Sequence, residues 1–170
     1  MPNIDWDKLS YEAGYTDGQE SMRHYKYDEL TGLKMRHDFN REFKDMFDSG
    51  KPFHFIFADV NGLKRVNTDG GHEAGDNLIK ECVAQLIECN PTGNSDLIYR
   101  YSGDEFCIIF PFNRGYHSND LNCPSDICTL ATKFSGDFET YDALFKSANK
   151  LLLERKQEHY KLFPNDRRNC

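Results

Sequence analysis

The sequence predicts one α/β domain, an α+β sandwich of two layers in which helices pack on a sheet. Helical and strand patterns alternate along the chain, which is typical of such a fold. The 170 residues suffice for one hydrophobic core but would be crowded as two domains. An apolar content of 38%, with 14% aromatic residues, is also typical of a globular protein.

Three helices are predicted from apolar residues that recur at three- and four-residue steps. The first begins at Thr31 and ends at the sequence Asp48-Ser49-Gly50. The second carries an apolar stripe over residues 78–87 and ends within residues 90–94, and the third covers residues 141–160.

Four strands are predicted between these helices. Residues 53–60 (FHFIFADV) form a nearly continuous apolar run, which favours a strand covered on both faces. Residues 97–101 and 106–110 form a hairpin with acidic residues at its tip, and residues 127–134 form a further strand. Residues 113–126 are rich in Asn, Ser, Gly and Pro and predict a loop.

Composition and charge exclude several classes of function. A net charge of −7 argues against long nucleic acid as a partner, because such proteins carry a basic stripe. A free nucleotide remains compatible, since a few lysines and a divalent ion neutralise a triphosphate. The apolar runs are too short to span a membrane, and the N-terminus lacks the pattern of a secretory signal. The six cysteines form no C-x-x-C pair, so we expect reduced thiols in a cytoplasmic protein.

Acidic side chains are predicted to meet at one edge of the sheet. Asp59 lies at the C-terminal end of a strand, and Asp104 and Glu105 occupy the tip of the hairpin. Converging carboxylates provide the hard oxygen ligands that Mg²⁺ prefers. The alternative is that these acids cap turns in solvent, and their spacing alone does not decide between the two.

Residues 67–76 (NTDGGHEAGD) predict a glycine-rich turn that runs into a helix. Backbone N–H groups at a helix start attract anions, and Asn67 and Asp76 carry side chains that could hydrogen-bond a base. Lys64 lies three residues before Asn67, within reach of a phosphate. Each feature also has an ordinary interpretation, as a simple turn or a surface lysine.

Four motifs, in order, resemble the GGDEF family of diguanylate cyclases. DELTGL (28–33) is similar to the family's D-x-L-T-G-L, and residues 57–76 to its long central motif. RYSGDEF (100–106) resembles the signature hairpin, and ANKLLLERK (148–156) resembles the last helix more loosely. The resemblance covers about residues 28–160 and implies a central, mostly antiparallel sheet flanked by helices.

The resemblance also implies a role for individual residues. Asp59, the backbone carbonyl of Val60, and Asp104 would bind two Mg²⁺ ions per active site, with Mn²⁺ as a substitute. Asp104 would accept the proton of the attacking 3′-hydroxyl, with Glu105 in the same site, and Lys64 would offset phosphate charge. The remaining positions match nucleotide-binding residues: Asn67 and Asp76 for guanine, His72 beside the nucleotide, and Lys156 for the triphosphate.

The implied reaction condenses two GTP into cyclic di-GMP and two pyrophosphates. Each domain would hold one GTP, so catalysis would need a homodimer. We expect a lead-in over residues 1–27, with a helix interrupted by glycines, then a GGDEF domain over 28–163 and a tail over 164–170. The lead-in is too short for a sensor domain, so the domain would dimerise through its own surface or act on a partner.

The sequence departs from the family pattern at three places. Ser102 replaces the first glycine of the signature. The inhibitory R-x-x-D site would span residues 93–96, where Gly93 replaces the arginine and Asp96 is retained, so no product inhibition is expected there. Tyr160 stands where a second basic residue of the last helix is expected, and Lys161 is the available substitute.

Two alternatives to the cyclase remain open. One is a degenerate domain that binds GTP or cyclic di-GMP as a non-catalytic signalling module, which Ser102 and the lost arginine favour. The other is a cyclase that makes a different cyclic dinucleotide, against which Asp76 argues. Intact Asp59, Asp104, Lys64 and Asn67 favour the cyclase.

Overall fold

The computed structural model describes residues 27–90, 94–112, 127–134, 136 and 138–164. The expectations for the lead-in before residue 27, the loop 113–126, Gly93 and the tail from residue 165 lie outside these ranges. The elements are, in order, β1 (Lys34–Met35), α1 (Arg36–Asp48), β2 (Phe53–Val60), α2 (Leu63–Cys89), a 3-10 turn (Ser95–Leu97), β3 (Ile98–Arg100), β4 (Glu105–Pro111), β5 (Ile127–Phe134) and α3 (Tyr141–Leu162).

The five strands form one sheet in the order β1-β3-β4-β2-β5. Its pairings are antiparallel except for the short parallel pair of β1 with β3. Strand β2 pairs with β4 on one side and β5 on the other, and every residue of β2 is buried. The prediction of a mostly antiparallel sheet flanked by helices is therefore confirmed.

Helices cover both faces of the sheet, so it is the middle of three layers and not one of two. Phe53, Phe55 and Phe57 of β2 pack with residues of α1 and α3. The alternate residues Ile56, Ala58 and Val60 pack with residues of α2. Because neighbouring strand residues point to opposite faces, continuous burial of β2 requires cover on both sides.

The core on the α1 and α3 side is mainly aromatic. Phe39 and Phe43 of α1 stack with ring centroids 5.0 Å apart, and Phe43 lies 4.8 Å from Phe55 of β2. Aromatic pairs at such distances add stabilisation beyond the apolar area they bury. This core extends along β2 as far as Phe57, two residues before Asp59.

The first helix begins later than predicted, at Arg36 and not at Thr31. A carboxylate oxygen of Asp28 accepts hydrogen bonds from the N–H and the hydroxyl of Thr31 at 2.9 and 2.7 Å, which closes a turn. Gly32 follows with a left-handed φ of 67°. Lys34 and Met35 then pair with β3, so Met35 belongs to a strand although its spacing fits the helix.

The glycine-rich turn predicted within residues 67–76 is confined to Gly71, and the residues on both sides of it are helical. Helix α2 begins at Leu63, and its backbone departs from helical geometry at Gly71, with φ 79° and ψ 178°. This region of backbone space is accessible essentially to glycine alone. Gly71 therefore bends α2 into two segments, one carrying Lys64 and Asn67 and the other carrying the apolar stripe.

The remaining predicted elements agree with the structure. The strands β2 and β5 have the predicted bounds, the hairpin of β3 and β4 is present, and α3 extends two residues past its predicted end. Within the described ranges, no helix combines the length and the apolar character that crossing a bilayer requires. Cys82 and Cys107 are both buried.

Candidate active site

The end of β2 brings the predicted acidic residues into one region. Asp59 lies opposite Glu105 of β4 in the antiparallel register, and the N–H of Val60 donates to the carbonyl of Asp104 at 3.0 Å. Asp59 and Asp104 are both buried, with 4% and 7% of their surface exposed. Burial of two acids at a strand end argues against the alternative that they only cap turns in solvent.

Asp59 forms a buried ion pair with Lys156 of α3. The two side chains are 6% and 10% exposed. Buried charges in proteins are paired or coordinate a metal, because an isolated charge is costly to desolvate. Asp59, which the sequence predicts to bind the metal, thus contacts Lys156, which it predicts to bind the triphosphate.

An open cleft of about 620 Å³ lies between the first segment of α2 and the hairpin tip. Its lining includes four predicted site residues, Lys64, Asn67, His72 and Asp104. The lining also includes residues to which the sequence assigned no role: Leu63, Thr68, Ile79, Arg100 and Gly103. Asp76 is exposed on the second segment of α2 and is not part of this lining. A cleft of this size is in the range of small-ligand sites.

Glu105 is the first residue of β4 and not part of the loop. The hydroxyl of Ser102 donates a hydrogen bond to a carboxylate oxygen of Glu105 at 2.8 Å. The backbone of the loop is closed by hydrogen bonds from the N–H groups of Tyr101 and Ser102 to the carbonyl of Glu105, at 2.8 and 3.2 Å. The serine that replaces the usual glycine therefore contacts one of the acids of the motif.

The groups beside Glu105 are held in their neutral forms. Burial raises the pKa of the Cys107 thiol well above its usual value, and the charge of Glu105 adds to this. Burial also raises the pKa of Tyr101, against the opposing effect of Arg36, whose guanidinium lies 4.6 Å from the tyrosine ring centre. Both groups are therefore neutral at pH 7.

The donor set at this edge suits a hard cation. Asp59, the Val60 carbonyl and Asp104 offer oxygen atoms alone, and an ammonium group already lies against Asp59. Among the described residues, no group of three His, Cys, Asp or Glu side chains converges into a metal site. Two carboxylates are enough for Mg²⁺, which usually completes its shell with water and substrate phosphates.

Comparison with known proteins decides the family. The family model described as "Diguanylate cyclase, GGDEF domain" matches residues 25–122. The chain belongs to the GGDEF family. This GGDEF chain is 34% identical over 101 residues to the cyclic di-GMP phosphodiesterase NbdA of Pseudomonas aeruginosa, covering 57% of the chain. It is 26% identical over 168 residues to the diguanylate cyclase DgcS of Shewanella oneidensis, covering 86% of the chain.

A solved structure shares the fold of this chain. The coiled coil and GGDEF domain of DgcB from Caulobacter crescentus, in complex with c-di-GMP, matches with a TM-score of 0.67 at 19% identity. That match covers 82% of this chain and 85% of DgcB. The GGDEF chain spans 13% of the length of NbdA and 55% of DgcS. DgcS is named as a cyclase and NbdA as a phosphodiesterase, so the family alone leaves the activity open.

Arg100 is a site residue that the sequence did not single out. Its guanidinium donates to the Gly103 carbonyl at 3.2 and 2.7 Å and to Asp28 at 2.6 Å. The side chains of Arg100 and Asp28 are only 15% and 17% exposed. Arg100 thus ties the signature loop of the GGDEF domain to the turn before β1. Asp28 begins the motif DELTGL and Arg100 begins the motif RYSGDEF. Their places in these motifs are what the sequence offers toward predicting the contact.

We expect Arg100→Ala to lower the free energy of unfolding by about 2 kcal/mol, because hydrogen bonds to charged groups are lost from a largely buried position. Chemical denaturation measures this change. Lys44→Ala, which breaks an ion pair on α1 whose members are 53% and 52% exposed, is the control and should leave the stability nearly unchanged, because water screens such a pair. Equal stability of the wild-type and Arg100→Ala proteins would show that the loop does not depend on this arginine.

Proposed function

We propose that this chain is a magnesium-dependent diguanylate cyclase that condenses two GTP into cyclic di-GMP and two pyrophosphates. The observation that carries the proposal is the placement of Asp59 and Asp104 at one strand end, beside a cleft lined by Lys64, Asn67 and His72. The relatives named diguanylate cyclase support it. Mg²⁺ would be held by Asp59, the Val60 carbonyl and Asp104, and would supply charge neutralisation for the phosphates and a more acidic 3′-hydroxyl.

The protein's own residues divide the remaining work. Asn67 and Asp76 would bind guanine, with His72 beside the nucleotide, and Lys64 and Lys156 would bind the phosphates. Asp104 would accept the proton of the 3′-hydroxyl, with Glu105 beside it, as the oxygen attacks the α-phosphorus of the second GTP. The bond from that phosphorus to the bridging oxygen breaks, and pyrophosphate leaves. Lys64 and Lys156 would offset the negative charge that develops on the phosphates in this transition state.

Catalysis would require two copies of the chain. One domain holds one GTP, and each 3′-hydroxyl must attack the nucleotide of the other domain. We therefore propose a homodimer as the active form, in the cytoplasm where GTP is available. Because Gly93 replaces the arginine of the R-x-x-D site, cyclic di-GMP would not inhibit through that site.

The test is incubation of the purified protein with Mg²⁺ and GTP, ATP or both, with products separated by mass. Cyclic di-GMP is expected from GTP, at a rate per chain that rises with protein concentration because two copies must meet. Progress curves should stay linear as the product accumulates. Asp104→Asn should form no product, whereas Asp96→Asn, a change at an exposed residue, should match the wild type. Product formation by Asp104→Asn at the wild-type rate would remove the proposed mechanism.

The second candidate is a non-catalytic module that binds GTP or cyclic di-GMP. The hydrogen bond from Ser102 to Glu105 favours it, because it occupies one of the acidic groups of the motif. GTP binding without any cyclic product at high protein concentration would support this function over the cyclase. Ser102→Gly would then be the next variant, since it frees the carboxylate and restores the glycine of the family pattern.

A further inference from the structure

The bend in α2 brings two distant parts of the helix into contact. Asn67 and Gly75 are eight residues apart, so a straight helix would separate them by about 12 Å along its axis. Instead, a Cβ atom built at Gly75 would lie 1.9 Å from Oδ1 and 2.8 Å from Cγ of Asn67. It would also lie 3.1 Å from Cδ1 of Leu63, at the first turn of the helix. The second segment therefore packs back against the first at this point.

The absence of a side chain at Gly75 makes room for the Asn67 carboxamide. Gly75 is buried, and Asn67 is partly buried and lines the cleft. Real Cβ atoms essentially never approach another atom within 3.0 Å, so any other residue at position 75 would push the carboxamide away by about 1 Å or more. The backbone of Gly75 has no left-handed φ, so the position itself tolerates alanine. The side chain of Asn67 is what would have to move.

We propose that Gly75 is a specificity-determining positioning residue, which holds the Asn67 carboxamide in the orientation that binds guanine. This inference rests on the proposed function of the cleft as a GTP site. Gly75 also precedes Asp76, the second residue proposed to bind guanine, although Asp76 is exposed and lies outside the cleft lining. The phosphate-binding lysines are not part of this contact. Gly75 therefore acts on recognition of the base and not on binding of the triphosphate.

The experiment measures the binding of GTP and of inorganic triphosphate, each with Mg²⁺, by calorimetry. Gly75→Ala should weaken GTP binding about 10-fold, the equivalent of one well-placed hydrogen bond, and leave triphosphate binding unchanged. Alanine favours helix more than glycine does, so the variant should melt no lower than the wild type. Asn77→Ala, at an exposed position on the same segment, is the control and should bind GTP normally.

A double-mutant cycle separates positioning from a general structural effect. In the Asn67→Ala background, Gly75→Ala should change GTP binding no further, because no carboxamide is left to displace. In the nucleotide-free protein, the NMR signals of the Asn67 side-chain amide, assigned by their loss in Asn67→Ala, should shift in Gly75→Ala. They should stay in place in Asn77→Ala.

The outcomes that overturn the inference differ from those that overturn the function. Equal GTP binding by the wild type and Gly75→Ala, or an equal loss of triphosphate binding, would overturn the role of Gly75 and leave the cyclase proposal intact. If the losses of GTP binding caused by Gly75→Ala and Asn67→Ala were additive, the role of Gly75 would likewise be overturned and the cyclase proposal would stand. A wild-type protein that binds no GTP would overturn the proposed function and this inference with it.

Discussion

Asp59→Asn should reduce formation of cyclic di-GMP about 1,000-fold, the size of effect seen when one transition-state charge contact is removed. Asn keeps the shape of the side chain but carries no charge, so it is a poor ligand for Mg²⁺. It would also leave the ammonium of Lys156 buried without its carboxylate. Breaking a buried ion pair from one side costs about 3 kcal/mol, so the melting temperature should fall by about 10 °C.

Two measurements are needed for Asp59→Asn, one of product by mass and one of Mn²⁺ binding by calorimetry. Asp96→Asn makes the same chemical change at an exposed aspartate of the 3-10 turn and is the matched control. Activity should be compared well below the lowered melting temperature, so that the loss reports on the site and not on unfolding. An Asp59→Asn protein that keeps its turnover and its Mn²⁺ binding would mean that the metal lies elsewhere.

Lys156→Met should change the binding of metal and of triphosphate in opposite directions. In the wild type, Mn²⁺ has to displace the Lys156 ammonium from the Asp59 carboxylate. The variant lacks this ammonium, so Mn²⁺ should bind its nucleotide-free form more tightly. Triphosphate should bind more weakly, because a phosphate-binding charge is lost. The protein should also lose about 3 kcal/mol of stability, since a buried carboxylate is left without its cation.

The control for this variant is Lys150→Met, which removes an exposed lysine from the same helix. It should alter none of the three measurements by more than about 0.5 kcal/mol. The double variant Asp59→Asn/Lys156→Met should regain most of the stability that either single change loses, because neither buried charge remains. Weaker Mn²⁺ binding by Lys156→Met would show that the lysine supports the metal site and does not compete with the ion.

Much of the fold could be predicted because the strands are strongly patterned. The runs FHFIFADV and ICTLATKF are rich in aromatic and β-branched residues and are flanked by turn-forming residues, so they predict the bounds of β2 and β5. The start of α1 could not be predicted in this way. Met35 matches the helical spacing of Phe39 and Phe43, but its pairing with Arg100 of β3 depends on a contact distant in sequence.

The site was predictable in its chemistry and less so in its geometry. Asp59, Asp104 and Lys64 follow from the family motifs, whereas the partners of Arg100 and Lys156 depend on tertiary contacts. The hydrogen bond from Arg100 to Asp28 joins residues 72 positions apart, beyond the reach of any local pattern. The helical state of residues 67–76 was missed because glycine content argues against helix, while the structure needs a non-helical glycine only at Gly71.

The three-layer architecture has a consequence for how a second copy would approach. Asp59 turns toward α3 through Lys156, whereas Asp104 lines the cleft beside α2. The two carboxylates thus lie on opposite sides of one sheet edge, and helices cover both faces of the sheet. In the proposed homodimer, a second copy would therefore have to approach end-on, over the carboxyl end of β2. Such an approach would leave the outer surfaces of the helices uncovered.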